Sequence, residues 1–102
     1  MSVLKVNATN YQEIKNSASP VLLDFYADWC GPCRMVGPIV EEIAAERSDV
    51  VVAKVNVDEN PDLAGEYGVF SIPTLVVLKD GAVVKQVTGF RPKDQILALL
   101  EG

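Results

Sequence analysis

Histidine is absent from the 102-residue sequence, and only two cysteines occur. Structural zinc sites use four ligands, mostly Cys and His. Zinc of that kind would therefore need a second chain. A c-type haem attachment needs His directly after the second cysteine, and position 34 is Arg. Positive charge is in deficit: nine Lys and Arg face fourteen Asp and Glu, for a formal net charge of −5. That balance argues against nucleic acid or an anionic membrane as a partner. No apolar run reaches the ~18 residues that suggest a membrane span. Met1 to Lys5 lacks the basic start and long apolar run of a secretory signal. Linkers, repeats and low-complexity segments are missing too. With 49% apolar residues, one domain over 1–102 with a real core is expected.

What is present centres on Trp29-Cys30-Gly31-Pro32-Cys33. The apolar run Val21 to Ala27 leads into it, and a helical pattern follows. Positions i and i+3 at a helix start lie roughly 5–6 Å apart. A disulfide spans a Cα separation of about 4.4–6.8 Å, so the two sulfurs can bond or separate with little backbone movement. Cys30 falls at the helix N-terminus, where free N–H groups and the helix dipole favour an anion. Its thiol pKa should fall, and the thiolate is the nucleophile. Cys33 lies one turn further in, where burial favours the neutral thiol. Gly31 leaves room for another chain's approach. Pro32 stiffens the turn and gives up an N–H that a first helical turn does not need. A purely structural disulfide is the plainer alternative, but closing so short a loop removes little chain entropy.

Along the chain, Val3 to Val6 reads as a short first strand. Thr9 and Gln12 have capping-box spacing, with Thr9 as N-cap of a helix running to about Ser17. Val21 to Ala27 is apolar on both faces apart from Asp24, the pattern of a covered central strand. The second helix starts near Cys33. Met35, Val36, Ile39, Val40, Ile43 and Ala44 form its apolar stripe, and Pro38 should kink it. Val50 to Val57 reads as the next buried strand, parallel to its predecessor. Asn60-Pro61 opens a third helix, which Gly65 and Gly68 end. Thr74 to Lys79 and Val83 to Thr88 form a hairpin about Asp80-Gly81. Pro92 opens a last helix that packs through Ile96, Leu97, Leu99 and Leu100.

Two charges stand where burial is expected. Asp24 and Lys54 each lie mid-run in an apolar strand, three or four residues from its end, so they should approach one another. Either charge alone would be costly to bury. Both strands lead to the carboxyl edge of the sheet, where open α/β sheets place their sites. A buried structural pair is one reading. A proton-transfer role for Asp24 is favoured, since perturbed acids cluster at active sites. Trp29 should be half exposed and shape a partner surface. Phe70 and Phe90 could be partner contacts or ordinary loop packing.

The Trp-Cys-Gly-Pro-Cys turn after a buried strand closely resembles the thioredoxin family, whose established signature is a Cys-x-x-Cys near a βαβ unit. The likeness covers nearly the whole chain and includes Pro38 and Pro73. It implies an α/β fold: a five-stranded mixed sheet with helices on both faces, βαβαβα then ββα. It implies a protein-disulfide reductase with Cys30 as nucleophile and Cys33 as resolving thiol. Asp24 would assist Cys33, and Lys54 would pair with Asp24. Trp29, Ile72, Pro73, Gly89 and Phe90 would meet the partner, with the Ile72–Pro73 bond cis. Tyr26 stands where many members carry Trp.

No bound cofactor is expected beyond the Cys30–Cys33 disulfide. The sequence has no glycine-rich nucleotide motif, so electrons should come from another protein, which the resemblance implies is a separate thioredoxin reductase. Disulfide-containing proteins are the expected substrates, the chain a monomer, and the cytoplasm its compartment, since its cysteines form one reactive pair and no scaffold. Two other readings are a redox-silent binding subunit and a disulfide oxidase or isomerase.

Overall fold

Alternation along the central strands decides which side chain meets which layer. The computed structural model describes residues 2–101 of the chain. The elements in order are β1 (Leu4–Lys5), α1 (Tyr11–Lys15), β2 (Val21–Tyr26), α2 (Gly31–Glu46), β3 (Val51–Asn56), α3 (Pro61–Glu66), β4 (Thr74–Lys79), β5 (Ala82–Thr88) and α4 (Lys93–Leu99). The strands form one sheet in the order β1-β3-β2-β4-β5. β3 runs parallel to β1 and β2, and β4 runs antiparallel to β2 and β5. The expected five-stranded mixed sheet is therefore present.

Successive strand residues face opposite sides. Val21, Leu23 and Phe25 join Tyr11 and Ile14 of α1 in one core layer. Leu22, Val52 and Leu75 join Val36, Val40 and Ile43 of α2 and Ile96 of α4 in the other. The same parity turns Asp24, two residues after Leu22, and Lys54, two after Val52, toward α2.

Several boundaries differ from expectation for local reasons. The N-cap of α1 is Asn10, not Thr9, and its side chain makes no cap bond to the helix. Instead the Asn7 side chain accepts from the N–H groups of Thr9 and Asn10, and the Asn10 side chain accepts from Asn7 N–H. This local Asx turn replaces the capping box. The helix ends at Lys15, short of Ser17. α2 begins at Gly31, two residues before Cys33, and runs on through Pro38. Met35 is exposed and lies off its packing stripe. Gly65 sits inside α3; Gly68, at φ 65°, follows its end. The hairpin is as expected: Asp80 and Gly81 both take positive φ, the geometry of a two-residue type I′ turn.

Candidate active site

β2 delivers the chain to its carboxyl edge at Tyr26, and α2 starts five residues later. Between them Cys30 adopts extended backbone geometry as the N-cap of α2. Its Sγ accepts a hydrogen bond from Cys33 N–H at 3.2 Å. A sulfur in that position can hold negative charge, because a free N–H and the helix dipole both point at it. Cys30 and Cys33 form a disulfide, with Cα atoms 5.3 Å apart. That distance falls within the usual range for such bonds. Arg34 braces the turn from outside, donating from Nε and Nη2 to the Asp28 carbonyl.

The two sulfurs face different surroundings. Cys30 lines an open groove of about 500 Å³ with Trp29, Pro32, Phe70 and Ile72. Its Sγ lies 3.8 Å from the Ile72 carbonyl oxygen, which a thiol there could use as acceptor. Cys33 lines a smaller cavity of about 120 Å³ with Asp24, Tyr26, Glu41 and Lys54. One face of the pair is thus open to a partner, and the other meets an acid.

Asp24 is 4% exposed. Its Oδ1 has no hydrogen-bond partner among the described residues. Burial pushes its carboxyl up from 3.8 to about 7, and the nearby Lys54 charge limits the rise. Lys54 is its neighbour in register. The two do not touch as an ion pair: the ion pairs among the described residues lie elsewhere. Lys54 Nζ instead lies 5.7 Å from the centre of the Tyr26 ring. The pairing is an interaction through space.

Of the other expected residues, Trp29, Gly31, Pro32 and Ile72 line the groove, whereas Pro73, Gly89 and Phe90 are not among its lining residues. Trp29 is 68% exposed, more than the expected half. Its Nε1 donates to Asp58 Oδ2 at 2.9 Å. The Ile72–Pro73 bond is cis. Gly89 sits at φ 96°, a conformation that favours glycine. Its N–H donates to the Pro73 carbonyl at 2.7 Å, which holds the Gly89-Phe90 segment beside Pro73. Phe90 is 39% exposed. Gly31 has nothing within 4 Å of where a Cβ would stand, so the turn's outer side is open.

Sequence reasoning passed over Asp58, Asn56 and Glu41. Asn56 Oδ1 accepts from the N–H groups of Asp58 and Glu59, which sets the loop that holds Trp29. A weak signal existed: Asn56 lies at the carboxyl end of the expected buried strand Val50–Val57, and Asp58 directly follows it. Glu41 lies eight residues after Cys33, near enough to the same helix face to have been found by periodicity.

The family model described as thioredoxin matches residues 2–102. A thioredoxin of Alicyclobacillus acidocaldarius is 47% identical over 100 residues, covering 97% of this chain and 95% of that protein. Thioredoxin 1 of Synechococcus elongatus is 54% identical over 96 residues, covering 93% and 90%. Among solved structures, a point-mutant thioredoxin from Halobacterium salinarum superposes with a TM-score of 0.89 at 46% identity, covering 98% of this chain and 88% of that one.

Proposed function

The chain belongs to the thioredoxin family, and we propose that Cys30 is the attacking and Cys33 the resolving thiol of its exchange reaction. The protein is a thiol–disulfide oxidoreductase that reduces protein disulfides. Its redox group is the Cys30–Cys33 disulfide. Thioredoxins in general act on disulfide substrates and are reduced by a thioredoxin reductase.

The observation that carries the assignment is the 3.2 Å bond from Cys33 N–H to Cys30 Sγ at the start of α2. In the reduced protein a Cys30 thiolate attacks one sulfur of the partner's disulfide. A Cys30–partner bond forms, the partner's S–S bond breaks, and the leaving thiolate takes a proton. Asp24, on the wall of the Cys33 cavity, accepts the Cys33 proton. A carboxyl near 7 can both take and return a proton at neutral pH. The Cys33 thiolate then attacks Cys30 Sγ. The second partner sulfur leaves with the electron pair and is protonated. The partner ends as two thiols and the protein as a disulfide: two electrons pass to the partner with two protons, one released by Cys33 through Asp24 and one from solvent, into which Cys30 had ionised. Lys54 tunes Asp24 by its charge. Trp29, Gly31 and Pro32 shape the turn, and Trp29, Ile72, Pro73, Gly89 and Phe90 contact the partner.

The finer reading is a single domain over 1–102, monomeric, working in the cytoplasm with a separate thioredoxin reductase as electron donor. What supports the compartment is the use of both cysteines in one reactive pair. Among the described residues, no helix is long and apolar enough to cross a membrane.

The test is trapping. Cys33→Ser should accumulate a mixed disulfide through Cys30, and Cys30→Ser should accumulate none. Comparable trapping through Cys33 in the second variant overturns the assignment.

A further inference from the structure

Phe70 is 96% exposed, more so than any other large apolar side chain among the described residues. Fold stability gains little from a ring placed so. Its backbone, by contrast, is held on both sides. Val69 N–H donates to the Ala64 carbonyl at 2.8 Å, and Thr74 Oγ1 donates to the Ser71 carbonyl at 2.6 Å. The ring is therefore presented by a fixed segment, and little ordering is required when something binds it.

Phe70 also lines the groove that contains Cys30. The groove's second ring, Trp29, is tied back to Asp58. Among the described residues no charged side chain lines the groove, and Ser71 supplies its one hydroxyl. A partner sulfur within bonding reach of Cys30 brings its own neighbouring residues into this space. An uncharged, ring-lined wall rewards an apolar side chain there and leaves a carboxylate or ammonium desolvated without a counter-charge.

We propose that Phe70 is a specificity-determining residue that selects partner segments carrying a large apolar side chain, aromatic above all, next to the attacked cysteine. This rests on the reading of Cys30 as the attacking thiol. The occupant is an extended stretch of a disulfide-bearing partner. A second copy of this chain on the same ring is a competing outcome.

The test uses the full chain, pre-reduced, and short peptides joined by one interchain disulfide. The peptides are identical except for the residue before cysteine: tryptophan, leucine, serine or glutamate. Rate constants are normalised to each protein's own rate on 2-hydroxyethyl disulfide. The tryptophan peptide should be reduced roughly 3- to 10-fold faster than the serine peptide, the range an aromatic contact provides. Phe70→Ala should bring that ratio toward one, and Phe70→Tyr should restore it. Equal rates in the wild-type protein, or a ratio unchanged in Phe70→Ala, overturn the proposal. So does a dimer in sedimentation that Phe70→Ala abolishes, because the ring would then serve self-association. Failure to reduce any peptide sinks the exchange mechanism and this inference together. Reduction of all four at one rate sinks only this inference.

Discussion

A single carboxyl carries the most energetic consequence. Asp24 has a folded pKa near 7 against an ordinary value of 3.8. The folded state holds this proton more tightly than the unfolded chain does. Below 3.8 both states are protonated and Asp24 adds no ionisation penalty. Between 3.8 and 7 the unfolded chain has released its proton and the folded one has not, so stability falls as pH rises. Above 7 the loss is complete. A rise of this size corresponds to a loss on the order of 4 kcal/mol. We predict that Asp24→Asn flattens this part of the stability–pH curve in urea titrations. It should raise stability at about pH 8 by up to that amount and slow the release of partner from the mixed disulfide. A variant that is less stable under those conditions and equally fast would make Asp24 a structural residue.

Elements show where local chemistry overrides a residue's usual meaning. Gly65 was expected to stop α3, yet it lies inside the helix with nothing within 4 Å of a Cβ. The stop belongs to Gly68, which takes φ 65° and donates its N–H to the Gly65 carbonyl at 3.1 Å. The two glycines should therefore respond oppositely to alanine. We predict that Gly65→Ala stabilises the protein by roughly 0.5–1 kcal/mol, the usual helix-interior difference. Gly68→Ala should destabilise by about 1–2 kcal/mol, the strain of left-handed backbone for an L residue. Chemical denaturation of both variants decides, and equal shifts in one direction would refute the distinction. At α1 the same lesson appears in reverse, because the Asn7 side chain takes the Thr9 N–H that Gln12 would take in a capping box, and the Asn10 N–H beside it.

The whole molecule acts through its charge. A formal net charge of −5 repels acidic partners at long range and attracts basic ones. Among the described residues none that lines the groove is charged, so this effect belongs to encounter and not to the bonded complex. We predict that reduction of an acidic disulfide protein speeds up as ionic strength rises from about 0.01 to 0.15 M, where the Debye length shrinks from about 30 to 8 Å. Reduction of a basic one should slow over the same range. Stopped-flow rates independent of salt for both would place recognition entirely in short-range contacts.

Layering and the chemistry of the turn were legible in the chain's local pattern. Continuous apolar runs, turn residues and helical periodicity are local codes, so β2, β3, the hairpin and all of the α2 stripe but Met35 could be read directly. The paired cysteines at a helix start needed no long-range information, since their geometry follows from i, i+3 spacing. What meets across the sheet edge was legible only in part: strand position brought Asp24 toward Lys54, and the other contacts came with the fold. Register puts Asp24 beside Lys54 without an ion pair. The fold also places Asp58 against the Trp29 indole, Gly89 against Pro73, and Phe70 on the same groove as Cys30. These contacts join residues up to 40 positions apart. No local pattern encodes such separations; they arise when parallel strands and their crossover helix bring distant loops to one edge.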